Sequence, residues 1–543
     1  MIRRSYIGAI AATYVALLLN AVCVAQSAGP PQLRKQGNAT QLMVQGKPFL
    51  IRGGELGNSS ASSADYMKPV WGKLARMNLN TVLMPVYWEL IEPEEGKFDF
   101  AAFDDLIQDA RRNNLKIVPL WFGSWKNSMS SYAPTWVKRD QTRFPFSQRS
   151  DGRGMEMLSA LSEANVRADS TAFKALMRHL REIDSIQNTI LMVQVENEIG
   201  MIPDSRDRSQ VANDGFAGQV PADLISYLVS NRESLMPEMR SVWAANGFKA
   251  KGTWEEVFGK GIATEEIFTA WNFARFTDRV AKAGKAEYPV PMYVNAALIR
   301  PGYLPGQYPS GGPLPHLFDV WRAGAPSIDL FAPDIYFQNF TEWCRRYDRA
   351  GNPFFIPEAG AFSNVPVNVL YVIGQHNVIG TSPFAIESMQ EPLAGQLASV
   401  YGLLAQLEPL ILANQGHKSM AGLISEGPEQ RAPQRVPLDG YALNVTYERA
   451  TDATAPDPLS GGLVIATATD EFLIAGTGMT ITFDADSPGP QNVGFLSVEE
   501  GKFVDGKWTA TRHLNGDQTH QGRHVRLNTG NFEMQKVRLY RYN

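Results

Sequence analysis

The chain has 543 residues, 44% of them hydrophobic, 20% charged and 10% aromatic, which excludes a disordered or low-complexity protein. Its net charge of -4 leaves no basic surplus for nucleic acid. Seven histidines and two cysteines are too few for a Cys/His zinc framework, and the length allows a large core without disulfide staples.

The amino-terminus reads as a cleaved secretory signal. Arg3 and Arg4 precede an apolar run at 7–19, and small residues follow at Cys23-Val24-Ala25. The run is short for a membrane span. Removal of residues 1–25 and a periplasmic or secreted location are therefore expected. Cleavage there leaves Cys344 as a lone thiol, unable to form an internal disulfide. No other run reads as a bilayer span, so no membrane contact is expected afterwards. Residues 26–44 read as a mobile lead-in, because 26–40 is rich in Gly, Pro, Gln and Ser.

From about 45 onward, short apolar runs alternate with amphipathic stretches. Strands are predicted at 48–55, 80–87, 115–122, 189–196, 290–296, 328–336, 353–358 and 379–386. Most are continuous Val/Ile/Leu/Phe runs, as strands buried on both faces should be. Helical periodicity fills the gaps, at 66–77, 101–113, 172–186, 265–283 and 393–407. Eight strands each followed by a helix is the count of a (β/α)8 TIM barrel, over 45–410. The stretch 201–262 is too long for one connection and is expected to be a helical insertion over the barrel mouth. Residues 411–543 show period-two alternation with frequent glycine, which predicts an antiparallel β-sandwich-like domain.

Reacting groups of such barrels sit at the C-terminal ends of the strands. The polar and aromatic residues there are Glu55, Tyr87, Trp88, Glu89, Ser124, Trp125, Asn197, Glu198, Asn295, Asp334, Tyr336, Glu358 and Glu387. Carboxylates with aromatics and no histidine suit sugar chemistry: rings stack on pyranose faces, and two carboxyls break the acetal. Asn197 and Glu198 close one buried strand, and Glu358 closes another before the small residues Ala359 and Gly360. Burial would raise the pKa of such a carboxyl, as a general acid needs. Trp88, Trp125 and Tyr87 are candidate stacking platforms. Glu55 and Ser124 are candidate hydroxyl binders, with a salt bridge to Arg52 as the competing role for Glu55. Asp329 and Asp334 read as rim hydrogen-bonders. His520 and His524 lie in a polar β-region, so no metal site is expected there.

The strings Asn197-Glu198-Ile199-Gly200 and Pro357-Glu358-Ala359-Gly360 resemble those of the retaining (β/α)8 glycoside hydrolases. Within that clan, Arg52-Gly53-Gly54-Glu55, the segment 80–100 and Gln194 to Gly200 resemble the family 35 β-galactosidases. The resemblance covers roughly 45–400, and the C-terminal β-domain is similar to that of bacterial members. It implies Glu198 as acid/base, Asn197 as its hydroxyl-binding neighbour and Glu358 as nucleophile. It departs at Pro85, where the family has Tyr, and at Ser124 and Trp125, where the family has a sugar-binding Glu. Tyr336 is expected to hydrogen-bond Glu358.

The implied activity is exo-acting release of terminal β-linked galactose, from oligosaccharides or plant polysaccharide side chains, with no cofactor. Two alternatives stay open. One is a related hydrolase with another sugar preference, such as a β-glucosidase, β-mannosidase or arabinosidase. The other is a non-catalytic carbohydrate-binding barrel. The sequence leaves the oligomeric state open, a homodimer included.

Overall fold

The computed structural model describes residues 29–349, 351–425, 433–452 and 456–543. The expected signal segment, 1–25, lies outside them. Eight parallel strands close into a barrel. They are β1 (Ile51–Glu55), β2 (Thr81–Tyr87), β3 (Lys116–Lys126), β4 (Val193–Asn197), β5 (Met292–Ala297), β6 (Leu330–Ile335), β7 (Ile356–Ala359) and β8 (Gly380–Pro383). Nearly every residue in them is buried, which is why they read as continuous apolar runs. Each expected strand is present; β3 runs four residues further than expected, to Lys126.

A principal helix covers each connection: α1 (Ala64–Arg76), α2 (Ala101–Arg112), α3 (Glu163–Asp184), α4 (Ile262–Lys285), α5 (Phe318–Gly324), α6 (Phe340–Tyr347), α7 (Val365–His376) and α8 (Leu393–Asn414). Ser63 and Ser162 cap α1 and α3 by accepting backbone N–H groups of Tyr66 and Asn165. That cap starts α3 nine residues before the periodicity at 172 becomes visible.

Three expectations need correction. The lead-in is not loose: Gln32–Gln36, Ala39–Val44 and Lys47–Phe49 form an antiparallel meander. Leu42, Met43 and Val44 are buried, and Gln41 Nε2 donates to Leu412 O (2.7 Å) at the end of α8. The insertion does not roof the mouth. Its helices Ala222–Ser230 and Trp254–Phe258 pack on α5 and α4, on the barrel flank. Met236 N donates to Asp319 Oδ2 (2.7 Å) there. Only its start reaches the mouth, where Ile202 lines the cavity. Finally, α8 is long and apolar enough to cross a membrane by length and composition. In the fold it is a barrel helix whose Leu397, Val400, Tyr401 and Leu404 are buried in the core.

Beyond α8 lie two antiparallel sheets among the described residues. The six-stranded one runs, in spatial order, Met420–Ile424, Gly461–Ala468, Glu471–Thr477, Glu533–Tyr542, Asn492–Val504 and Lys507–His513. The four-stranded one runs Gln434–Leu438, Tyr441–Tyr447, Met479–Ala485 and Val525–Leu527. Leu443, Val445, Val464, Ile474 and Val537 form a core between them.

Candidate active site

The last turn of β4 sets the site. Glu196 and Glu198 both have positive φ, 63° and 45°, which is strained for residues other than glycine. The strain sends neighbouring carboxyls to different partners. Glu196 Oε2 accepts from Trp125 N (2.7 Å), and burial followed by the adjacent Asp169 raises its pKa. Asp169, from α3, accepts from Trp121 Nε1 (2.9 Å), Ser124 N (2.9 Å) and Ser124 Oγ (2.5 Å). This buried pair braces the end of β3 from behind.

Glu198 faces the cavity. Its backbone N–H donates to Asn295 Oδ1 (2.9 Å), and Asn295 Nδ2 donates to Asp334 Oδ2 (2.6 Å). Glu358, at the end of β7, is 4% exposed and accepts on Oε1 from the Tyr336 hydroxyl (2.5 Å). Its Oε2 meets no N–H or hydroxyl. One carboxylate oxygen each of Glu198, Asp334 and Glu358 lies within 4.8 Å of the other two. Glu55, at the end of β1, is 1% exposed, and its carboxyl faces that of Glu358.

Lys126 closes β3 directly beside Asn197. Its buried ammonium lies 5.2 Å from the Phe122 ring centre and hydrogen-bonds Asn127 Oδ1. It draws down the proton affinity of Glu55, Glu198 and Asp334. Burial, then Glu358, pushes the other way: Glu198 rises to about 7, and Glu55 and Asp334 rise well above the usual carboxylate range. Carboxyls this close are held together by a cation or by protons. Lys126 lies beside them, the Tyr336 hydroxyl donates to Glu358 and Asn295 donates to Asp334.

A cavity of about 390 Å3 opens here, lined by Asn127, Glu198, Arg300, Tyr308, Asp334 and Tyr336 among others. Asn197 is fully buried, and neither atom of its amide has a protein partner.

The structure thus brings together Glu198, Glu358, Glu55, Asn197 and Tyr336. It does not bring the other four candidates to the cavity. Trp88 is fully buried, with its indole N–H on Glu92 Oε2 (2.9 Å). Trp125 is fully buried against Phe273 and Phe276 of α4, and its indole donates to Leu158 O (3.1 Å). Ser124 is taken by Asp169. Tyr87 donates to Asn58 O (2.8 Å) and packs on Phe122 and Tyr132. All four are packing or bracing residues. Glu387 is structural too: it accepts from Gly57 N (3.0 Å) and Ser60 Oγ (2.5 Å). Arg52 pairs with Glu408 rather than Glu55. Asp329 sits at the opposite strand end, on Lys285 and Met292 N.

Sequence reasoning passed over Lys126 and Glu196 and gave Asp334 only a rim role. Lys126 had a signal, a lysine after a long apolar run, hidden because β3 was ended at 122.

Comparison with known proteins is partial. Residues 64–232 match the model of glycoside hydrolase family 42, described as β-galactosidase. Residues 397–526 match a domain of unknown function. This match supports the β-galactosidase kind, and it does not confirm the family 35 to which the motifs were likened. A β-galactosidase of Xanthomonas manihotis is 28% identical over 182 residues, 32% of this chain and 27% of that protein. Beta-galactosidase 14 of Arabidopsis thaliana is 32% identical over 96 residues, 17% of this chain and 11% of that one. The chain thus spans about a quarter or less of these curated relatives. Solved β-galactosidases from Rahnella sp. R3 and Bacillus circulans sp. alkalophilus each align with a TM-score of 0.46 at 14% identity, covering 67% of this chain and 57% of theirs.

Proposed function

We propose that the chain is a retaining glycoside hydrolase that releases terminal β-linked galactose, with Glu358 as nucleophile and Glu198 as acid/base. The observation that carries this is the approach of Glu198 and Glu358 oxygens to within 4.8 Å from β4 and β7. Retaining enzymes hold the pair about 5–5.5 Å apart, whereas inverting enzymes leave roughly 6.5–9.5 Å for a water. The match to the β-galactosidase family model over 64–232, and the 182-residue match to a β-galactosidase, support galactose as the sugar.

In the first step a Glu358 oxygen forms a bond to the anomeric carbon while the bond from that carbon to the aglycone oxygen breaks. Glu198 gives its proton to the departing oxygen. In the second step Glu198, now a carboxylate, takes a proton from water, and the water oxygen displaces Glu358. A proton affinity near pH 7 lets Glu198 serve as donor first and acceptor second. The Tyr336 hydroxyl fixes Oε1 of Glu358, and Oε2 meets no N–H or hydroxyl.

The test uses 4-nitrophenyl β-galactoside. NMR of the first-formed sugar should show the β-anomer, and Glu358→Gly should lose turnover and regain part of it with azide. First appearance of the α-anomer, or no rescue, overturns the mechanism. Turnover of the β-glucoside, β-mannoside or arabinoside alone moves the sugar assignment and leaves the mechanism standing.

A further inference from the structure

Glu55 belongs to no step above, yet it is the carboxyl nearest in role to Glu358. It projects from the end of β1, is 1% exposed, and neither of its oxygens receives a hydrogen bond from any N–H or hydroxyl. An ionised carboxylate so placed is costly, because burial strips its water and no protein N–H or hydroxyl takes its place. Of the charged groups around it, the carboxyl of Glu358 acts on it most strongly. Two carboxyls in contact attract only if a proton lies between them.

We propose that Glu55 is held as the neutral acid and donates its proton to a hydrogen bond on Glu358, acting as a positioning residue for the attacking carboxylate. With the Tyr336 hydroxyl, it grips Glu358 from two strands, β1 and β6. The groups facing the pair are Glu198 from β4, Asp334 and Tyr336 from β6, the Tyr293 hydroxyl from β5 and Lys126 from β3. Only Lys126 among them favours an ionised Glu55, and burial with Glu358 opposes it.

The inference deepens the retaining mechanism and rests on it, so the test has one arm that needs no activity. The infrared difference spectrum of wild type minus Glu55→Gln at neutral pH should contain a protonated-carboxyl band. A carboxylate band in its place overturns the proposal, whatever the enzyme does.

The kinetic arm compares two substitutions. Glu55→Gln keeps a donor at every pH and should hold kcat within about tenfold of wild type. Glu55→Leu removes the donor and should lower kcat by about 10²–10³-fold, the usual loss for one preorganised donor, with KM changed less than about threefold. Equal loss in both variants, or a loss carried by KM, overturns the proposal. If Glu55→Leu does not fold, Glu55→Gln and the spectrum still decide. Absence of azide rescue in Glu358→Gly counts against the parent mechanism, and the spectrum separates that failure from this one.

Discussion

Glu198 keeps its proton to about pH 7 because burial, and then Glu358, oppose its charge. The unfolded chain would release that proton near the ordinary value of 4.5. Folding therefore binds a proton between these values, and stability falls as pH rises from about 4.5 to about 7. Glu198→Gln removes the penalty. It should melt above wild type at pH 8, by about 1 °C for each kcal/mol gained in a chain of this size, and level with it at pH 4. Calorimetry at the two pH values checks this; a variant no more stable at pH 8 contradicts the assignment. The same residue should place the alkaline limb of kcat/KM near pH 7. Glu198 and Glu358 were legible in sequence because a carboxylate closing an apolar strand has few other reasons to be there. Trp88, Trp125 and Ser124 were misread because strand-end position does not say which way a side chain points. The register irregularity between Trp121 and Lys126 turns Ser124 and Trp125 outward and leaves Lys126 at the site.

At the scale of elements, the barrel was readable since strands buried on both faces write themselves as unbroken apolar runs. The meander before it was not, because a one-sided sheet carries Arg34, Lys35 and Gln36 on exposed or half-exposed positions. Its turn signals, Gly37-Asn38 and Gln45-Gly46, were present but lay in a stretch whose composition resembles a linker. The meander seats where the chain turns after α8. Gly416 has φ +82°, and a Cβ there would lie 1.9 Å from Gln36 O. Gly416→Ala should therefore lower stability by about 1–3 kcal/mol, from strain and from prying the meander away. Gln45 also touches Gln187 O, in the loop leading into β4, so the contact is at the strand ends opposite the cavity. A urea midpoint that falls while kcat holds is the expected result; unchanged stability would show that the contact carries no load.

At the scale of the whole molecule, the β-domain completes the barrel rather than hanging from it. Helix α7 is buried almost throughout, which a helix on the outside of an isolated barrel would not be. The six-stranded sheet lies on it closely enough that a Cβ on Gly422 would meet Tyr371 O at 2.1 Å, and one on Gly374 would meet Ala421 O at 2.7 Å. Ile424, Leu463, Ile465, Leu473 and Met534 of that sheet belong to the same continuous core as the barrel. Each such side chain is worth about 1.5–3 kcal/mol when buried, so together they rival the 5–15 kcal/mol that holds a typical domain folded. The two-sheet core behind them depends in turn on the same sheet being held. A chain ending after Asn414 should lose its soluble fold, because α7 would face water along its sheet-contacting side. The intact chain should unfold in one transition, with tryptophan fluorescence, which reports the barrel through Trp71, Trp88 and Trp121, coinciding with far-ultraviolet dichroism. A soluble truncated barrel that keeps its melting temperature and its kcat would show instead that the sheet is a separable module.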